Sequence, residues 1–141
     1  TVGHNLMHGH PFVATRFDTA RENMSRIKAV LQAGDLTEFA KIVEQEALML
    51  HAMMMTSDPY FLLFKPNTLH IIEKIWAFRQ EHDCNLCITL DAGANVHLLY
   101  PEHDATLALQ LIESQLLDYC QNRQYLCDKV GEGPCQPTTN I

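Results

Sequence analysis

Apolar residues recur at steps of three and four through most of the first 55 residues, with a break near Gly34. That spacing predicts two amphipathic helices, over residues 11–33 and 36–55. Gly34 suits the end of the first helix, and Asp35 or Thr37 suits the cap of the second. The predicted apolar faces are Phe17, Ala20, Met24, Ile27 and Leu31 in the first helix and Phe39, Val43, Ala47, Leu50 and Met54 in the second.

The pattern changes after residues 57–59, Ser-Asp-Pro, because the residue before a proline disfavours helix. We expect a short connector or extended segment over residues 60–64. The further expected elements are a helix over 67–82, strands over 86–90 and 97–100, a helix over 104–121, a last strand over 124–130 and a turn over 131–134. Helix, strand, strand, helix, strand is the back half of a split βαβ arrangement. The sequence therefore predicts an α+β fold, a ferredoxin-like sandwich of an antiparallel sheet and helices.

Composition and charge narrow the class of protein. The 141-residue chain is 47% hydrophobic and 19% charged, which is typical of one globular domain. Its net charge of -7, without a basic stripe, argues against a nucleic-acid partner. No apolar run approaches the roughly 18 residues that a membrane helix needs, and no signal peptide is recognisable. We therefore expect no membrane partner and a cytoplasmic location.

Two of the five cysteines, Cys84 and Cys87, form a CxxC pair. Such a pair is compatible with a redox or zinc site, but no second CxxC completes a zinc ligand set. Cys87 also lies inside the apolar run of the first predicted strand. Buried, unreactive thiols are therefore the favoured interpretation.

Several histidines and methionines are further candidates for chemistry. His4, His8 and His10 have metal-compatible spacing, but no carboxylate or cysteine lies beside them, so a solvated loop is favoured. His51 is expected to be a hydrogen-bonded core histidine. We expect a soft packing surface formed by Met49, Met53, Met54 and Met55. The lesser alternative is that one of these residues faces a substrate cleft.

The most informative segment is residues 90–96, Leu-Asp-Ala-Gly-Ala-Asn-Val, between the two predicted strands. It places the carboxylate of Asp91 in a turn of small residues, which keeps bulky groups away and lets backbone approach a ligand. The alternative is an Asx turn, in which the carboxylate accepts hydrogen bonds from its own turn amides. Spacing alone favours that structural role.

Collinear segments along the chain resemble one known family. Residues 1–4 (Thr-Val-Gly-His) resemble the end of its Ser-Ser-Thr-x-Gly segment. Residues 44–52 resemble its Glu-x-x-x-Leu-x-Met-His-Ala helix, with Leu in place of Met. Residues 89–96 resemble Thr-Met-Asp-Ala-Gly-Pro-Asn-Val, with Ala in place of Pro, and residues 130–134 fit Val-Gly-x-Gly-Pro. The sequence is thereby identified as similar to the C-terminal half of the diphosphomevalonate decarboxylases, members of the GHMP family of small-molecule kinases.

This resemblance implies a reaction and a site. Family members phosphorylate the tertiary hydroxyl of diphosphomevalonate with ATP and Mg²⁺, and then lose phosphate and carbon dioxide to give isopentenyl diphosphate. By the same resemblance, Asp91 is the catalytic residue that orients or deprotonates the hydroxyl. The substrate-binding residues that the resemblance implies are Thr1, Gly3, Ala92 and Gly93.

The resemblance also implies a domain organisation. Residues 1–141 correspond to the GHMP C-terminal, substrate-side domain, and the N-terminal ATP-binding domain is expected to lie outside this chain. No Gly-rich phosphate loop and no basic partner for Asp91 is recognisable in the sequence. We therefore expect no cofactor or metal site in this chain, and neither tight ATP binding nor decarboxylation by the chain alone. The expected partners are a small phosphorylated isoprenoid precursor, the N-terminal domain and a second copy in a homodimer.

Two alternatives stay open on the sequence. The first is a related GHMP kinase, or a decarboxylase that acts on a monophosphate or on mevalonate itself. The second is a non-catalytic binding or dimerisation module in which Asp91 only caps its turn.

Overall fold

The structure, a computed structural model, describes residues 8–131. Expectations for Thr1, Gly3, His4 and residues 132–141 lie outside the described residues. Its helices and strands are α1 (Val13–Ala33), α2 (Leu36–Met55), α3 (Pro66–His82), β1 (Cys87–Leu90), β2 (Val96–Leu99) and α4 (Ala105–Leu111). The first three helices and both strands lie within two residues of their predicted positions, and residues 60–64 form a connector. The predicted α+β class with an antiparallel sheet is confirmed.

The junction of α1 and α2 follows the capping rules. Gly34 adopts a left-handed conformation with φ of 69°, which glycine adopts without steric cost. Asp35 then caps α2, because its carboxylate accepts a hydrogen bond from the Glu38 N–H at 2.9 Å. Both predictions for this junction are confirmed.

Helix α1 packs on α2 through polar side chains rather than through its apolar stripe. Phe17, Met24 and Leu31 on that stripe are exposed, whereas Asn23 is buried. Asn23 and Arg16 both donate to Glu46 of α2. The periodicity therefore identified the helix correctly, but the face that contacts the rest of the domain is the polar one.

The core lies between α2, α3, α4 and the inner face of the sheet. Ile75, Leu86, Ile88, Ala108 and Leu111 have no solvent exposure. The two strands pair antiparallel, and α2 packs closely against β1. Cys87, Ile88 and Leu90 of β1 are all buried, and only Thr89 is partly exposed. The outer face of the hairpin is therefore more exposed toward the turn, where Thr89 pairs with exposed His97.

Two expectations for the C-terminal part need correction. The helix predicted over 104–121 is α-helical only to Leu111, continues as a π-helical turn at Ile112–Leu116 and a 3₁₀ turn at Leu117–Tyr119, and ends at Cys120 in an extended conformation. The strand predicted over 124–130 is absent. Those residues are exposed, and within the described part of the chain the only sheet is the β1–β2 pair. A strand requires a hydrogen-bonded neighbour, and local alternation cannot supply one.

Within residues 8–131, none of the helices combines the length and apolar character needed to cross a membrane.

Candidate functional site

The site is built on the hairpin of β1 and β2. Thr89 pairs with His97 and Leu90 with Val96, so the segment 91–95 forms the connecting turn. Leu90 is buried, whereas Asp91 directly after it is exposed. The inward residue of the strand thus anchors the turn, and the carboxylate that follows faces solvent.

The Asp91 carboxylate is not used to stabilise its own turn. In the described part of the chain it accepts no hydrogen bond from the amides of the turn, and its near neighbour is the His97 Nε2, 3.5 Å from Oδ2. The side chains of Asp91 and His97 are 71% and 51% exposed. The Asx turn that spacing alone favoured is therefore not formed.

Small residues leave space around this carboxylate. A Cβ atom added to Gly93 would lie 3.7 Å from Asp91 Oδ1, in van der Waals contact with it. Ala92 is exposed beside it. The turn itself therefore places no large side chain beside the carboxylate, as the sequence predicted, and the large neighbour, His97, belongs to β2.

The backbone of the turn is held from the protein interior. The His51 Nε2 on α2 lies 3.1 Å from the Asp91 carbonyl oxygen, and the Thr68 hydroxyl on α3 donates to the Ala94 carbonyl at 2.8 Å. Within the turn, the Gly93 N–H donates to the Asp91 carbonyl at 2.8 Å. The expectation of a hydrogen-bonded core histidine at His51 is confirmed, since its exposure is 1%.

Strand β1 is held in turn by a buried carboxylate. Glu44 accepts hydrogen bonds from the Arg79 guanidinium, the Trp76 indole N–H and the Ile88 N–H. Arg79 also donates to the Leu86 carbonyl at 2.8 Å. This Glu44 network joins α2 and α3 to the strand that ends at Asp91.

Sequence reasoning missed two residues of this site. His97 is a basic neighbour of Asp91, although none was recognised in the sequence. A signal existed: once Thr89 and His97 are placed opposite each other, strand alternation puts His97 and Asp91 on one face. Thr68 offered no comparable signal, because its contact with Ala94 depends on how α3 packs.

The other candidate ligand sets do not come together. His10 is buried rather than solvated, which corrects the expected loop. Its Nε2 donates to the Thr56 hydroxyl at 2.9 Å, and its Nδ1 accepts from the Phe12 N–H. His8 is exposed. Across residues 8–131, no three His, Cys, Asp or Glu side chains group as metal ligands.

The CxxC cysteines are buried, as predicted, and unreactive by their surroundings. Burial, followed by the Glu44 carboxylate, raises the pKa of the Cys87 thiol to about 11. Burial and then Asp104 raise the pKa of Cys84. Because the thiolate is the reactive form, both shifts oppose redox chemistry.

The methionines divide between core and surface groove. Met53 and Met54 are buried, and the expected soft packing surface is present. Met49 and Met53 line an apolar groove of about 320 Å³ between α1 and α2. No residue of the turn 91–95 lines that groove, so these methionines face a region distinct from Asp91.

Comparison with known proteins identifies the family of this chain. Residues 7–138 match the family model described as mevalonate 5-diphosphate decarboxylase C-terminal domain. No curated protein sequence matches the chain. Among solved structures, a mevalonate diphosphate decarboxylase from Legionella pneumophila is 34% identical with a TM-score of 0.76, over 82% of this chain and 36% of that one.

More distant structures share the fold alone. The mevalonate diphosphate decarboxylase from Enterococcus faecalis is 18% identical with a TM-score of 0.73, over 78% of this chain and 34% of that one. A structure described as MDDEF in complex with MVAPP, AMPPCP and magnesium is 18% identical with a TM-score of 0.74, over 81% of this chain and 35% of that one. The chain spans about a third of the length of these proteins. Since the family model covers nearly all of its residues, the chain belongs to the mevalonate 5-diphosphate decarboxylase family and matches its C-terminal domain.

Proposed function

We propose that this chain forms the substrate-side part of an ATP-dependent diphosphomevalonate decarboxylase, in which Asp91 orients or deprotonates the tertiary hydroxyl of the substrate. One observation carries the proposal: Asp91 presents a solvent-facing carboxylate that its own turn does not use. A carboxylate that stands in a turn of small residues and makes no hydrogen bond to that turn is free to contact a ligand.

The chemistry that the family performs suits such a carboxylate. Phosphoryl transfer depends mainly on alignment and charge neutralisation, and a carboxylate within hydrogen-bond reach aligns the hydroxyl and accepts its proton. After transfer, loss of phosphate and carbon dioxide develops positive character on the carbon that carried the hydroxyl. The charge of Asp91 would favour that centre as well.

The His97 imidazole lies beside the carboxylate, with Nε2 3.5 Å from Asp91 Oδ2, and forms an ion pair with it only when the ring is protonated. Both side chains are mostly exposed, and an ion pair in such surroundings contributes at most about 1 kcal/mol. The stronger cationic partners are therefore assigned to the N-terminal domain of a complete enzyme. This division agrees with the share of its relatives that the chain spans.

ATP and Mg²⁺ are assigned to the same N-terminal domain. The described residues do not fit either group, because they include no cluster of three metal-ligating side chains, and the sequence has no Gly-rich phosphate loop. The structure described as MDDEF in complex with MVAPP, AMPPCP and magnesium supports their use in a complete enzyme. Nothing in this chain is therefore assigned a role in holding them.

The substrate contacts follow from the same proposal. Ala92 and Gly93 flank the carboxylate, and we assign them to substrate contact through their backbone. Thr1 and Gly3 keep the role that the family resemblance implies. A homodimer and a cytoplasmic location stay predictions.

Asp91→Asn in the complete enzyme tests the proposal. The amide keeps the shape of the side chain but cannot accept the hydroxyl proton, so we expect turnover of diphosphomevalonate to fall about 10²- to 10⁴-fold. The measurement is ATP-dependent release of carbon dioxide, with folding checked by circular dichroism. Glu102→Gln removes another exposed carboxylate just beyond the hairpin and should leave turnover unchanged.

The outcomes separate the alternatives. Unchanged turnover in folded Asp91→Asn would reject the catalytic role and favour a binding module. Phosphorylated product without carbon dioxide would indicate a kinase, and preference for mevalonate or its monophosphate would change the substrate. The isolated 141-residue chain is expected to be inactive in each assay.

A further inference from the structure

We propose that His51 and Thr68 are positioning residues for Asp91, which hold the two ends of its turn from the protein interior. The proposal rests on the catalytic role of Asp91 stated above. It assigns to two buried side chains the function of fixing where the carboxylate points. We call His51 and Thr68 the turn clamp.

The His51 end of the turn clamp fixes the peptide that follows Asp91. A carbonyl oxygen only accepts, so the His51 Nε2 must be the donor in this 3.1 Å contact. The same oxygen accepts the Gly93 N–H at 2.8 Å, and these two donors occupy both of its lone pairs. Rotation of this peptide would break both bonds, so the backbone of Asp91 is restrained, and with it the Cα–Cβ bond from which the carboxylate extends.

The His51 ring has little freedom of its own. It is 1% exposed and stacks on Phe64, with ring centroids 4.5 Å apart and planes 4° from parallel. Phe64 belongs to the connector between α2 and α3, so the imidazole is held between that segment and the turn. A donor held this way positions its acceptor with little loss of side-chain entropy.

The Thr68 end of the turn clamp has its hydroxyl direction defined by two partners. The Lys65 N–H donates to the Thr68 hydroxyl oxygen at 3.2 Å, and the hydroxyl donates its only proton to the Ala94 carbonyl at 2.8 Å. Thr68 is 1% exposed in the first turn of α3. The far end of the turn is therefore fixed to a helix terminus.

The arrangement limits the region in which the exposed carboxylate can lie, because it holds the backbone that carries it. Asp91 itself makes one long contact, to His97, so its own hydrogen bonds do not hold it. The two clamp contacts act on backbone three residues apart and come from different helices. Displacement of a reacting group by about 1 Å can lower a rate on the order of 100-fold.

The test uses steady-state kinetics of the complete enzyme with diphosphomevalonate and ATP. Thr68→Val keeps the volume and His51→Phe keeps a planar ring of somewhat larger size; both remove the donor, and each should lower kcat about 10- to 100-fold with KM changed less than about threefold. Thr68→Ser and His51→Gln retain a donor and should recover most of kcat. Asn67→Ala removes a neighbouring hydrogen bond of α3, to the Tyr119 carbonyl, and should leave kcat unchanged.

A double-mutant cycle distinguishes positioning from general stability. If the turn clamp acts through Asp91, Thr68→Val should have no further effect on kcat in an Asp91→Asn background. A full independent loss in that background would overturn the proposal, as would kcat within threefold of wild type in folded Thr68→Val and His51→Phe. Unchanged turnover in Asp91→Asn alone would instead overturn the proposed function.

The two ends of the turn are tested separately, so either variant that folds by circular dichroism decides the question. If neither folds, Thr68→Cys places a weaker donor at the same site and should give an intermediate loss of kcat. Wild-type kcat in Thr68→Cys would count against the proposal.

Discussion

Glu44 and Glu46 lie two residues apart on α2, and each holds one arginine through both carboxylate oxygens. Glu44 faces α3 and β1, whereas Glu46 faces α1. Their side chains are 11% and 30% exposed. The same chemical pair therefore occurs on two sides of one helix in different packing environments.

The difference lies in what surrounds each pair. Glu44 also accepts from the Trp76 indole and the Ile88 N–H, so its removal leaves donors from a helix and a strand without a partner. Glu46 has one further donor, Asn23 of α1. Both donors to Glu46 lie on α1, whereas the donors to Glu44 come from α3 and β1. An ion pair is thus most consequential where its carboxylate also holds neighbouring elements of the core.

Replacement of each glutamate by glutamine compares the two environments directly. Glu44→Gln should lower the free energy of unfolding by about 3–5 kcal/mol, because Arg79 loses its counter-charge and donors from α3 and β1 lose one of the carboxylate oxygens. Glu46→Gln should cost roughly 1–2 kcal/mol, because its carboxylate is more exposed than that of Glu44 and accepts from one donor besides its arginine. Urea unfolding followed by fluorescence measures both, and Trp76 is the only tryptophan of the chain.

The comparison would fail if the two variants lost equal stability. Equal losses would mean that α1 is held as rigidly as β1. A larger loss at Glu46 would mean that the contact between α1 and α2 contributes more to stability than the contact between α2 and β1. Either result would mean that the Glu44 network does not contribute more to stability than the Glu46 contacts.

The sequence predicted those features that depend on local rules. Gly34 and Asp35 were identified because capping is decided by neighbouring residues, and the hairpin was identified because its turn is composed of small residues. The buried side of α1 could not be predicted, because Arg16 and Asn23 are buried only through a partner 23 to 30 residues away. The strand expected over residues 124–130 was wrong for the same reason.

The candidate site likewise contains residues that the sequence could predict and residues that it could not. Asp91 was found from its segment and family resemblance, and His97 could have been found from strand pairing. Thr68 and Glu44 contact the hairpin only because α2 and α3 cross behind it. Residues that act through tertiary packing have no spacing signal of their own in the sequence.

The reactivity of the Cys87 thiol provides a second measure of how firmly β1 is held by the Glu44 network. With a pKa of about 11, roughly one Cys87 thiol in a thousand is ionised at pH 8, and burial excludes reagent as well. Iodoacetamide at pH 8 should therefore modify exposed Cys127 at least about 100-fold faster than Cys87, as measured by peptide mass mapping.

The two glutamine variants serve as controls for this measurement. Glu44→Gln should accelerate Cys87 labelling, because opening of β1 becomes easier and because the carboxylate that raises the pKa of Cys87 is removed, whereas Glu46→Gln should not. Rapid labelling of Cys87 in the wild-type chain would show that the Glu44 network does not keep the strand closed.

Asp104 is a third carboxylate for this comparison, and in the described part of the chain both of its hydrogen bonds come from donors of Asn85. It is buried and accepts the Asn85 N–H at 2.8 Å and the Asn85 side-chain amide at 3.0 Å. The backbone hydrogen bond from Asn85 is the main cause that lowers the pKa of Asp104 below its usual 3.8. A lowered folded-state pKa stabilises the fold above the unfolded-state pKa, and that contribution is lost as pH falls through the folded-state value.

Asp104→Asn should therefore cost about 1–2 kcal/mol at pH 7, a smaller loss than at Glu44, because hydrogen bonds to a charged acceptor are stronger than neutral ones. The difference from wild type should shrink as the pH is lowered below about 4, where the carboxylate of the unfolded chain takes up its proton, and it is lost as pH falls through the lower folded-state pKa. Urea unfolding at pH 7, 5 and 3.5 measures this dependence, with exposed Asp128→Asn as the control. A difference that is constant across these pH values would mean that Asp104 acts by shape and packing, and that charge matters only where, as at Glu44, an arginine is paired with the carboxylate.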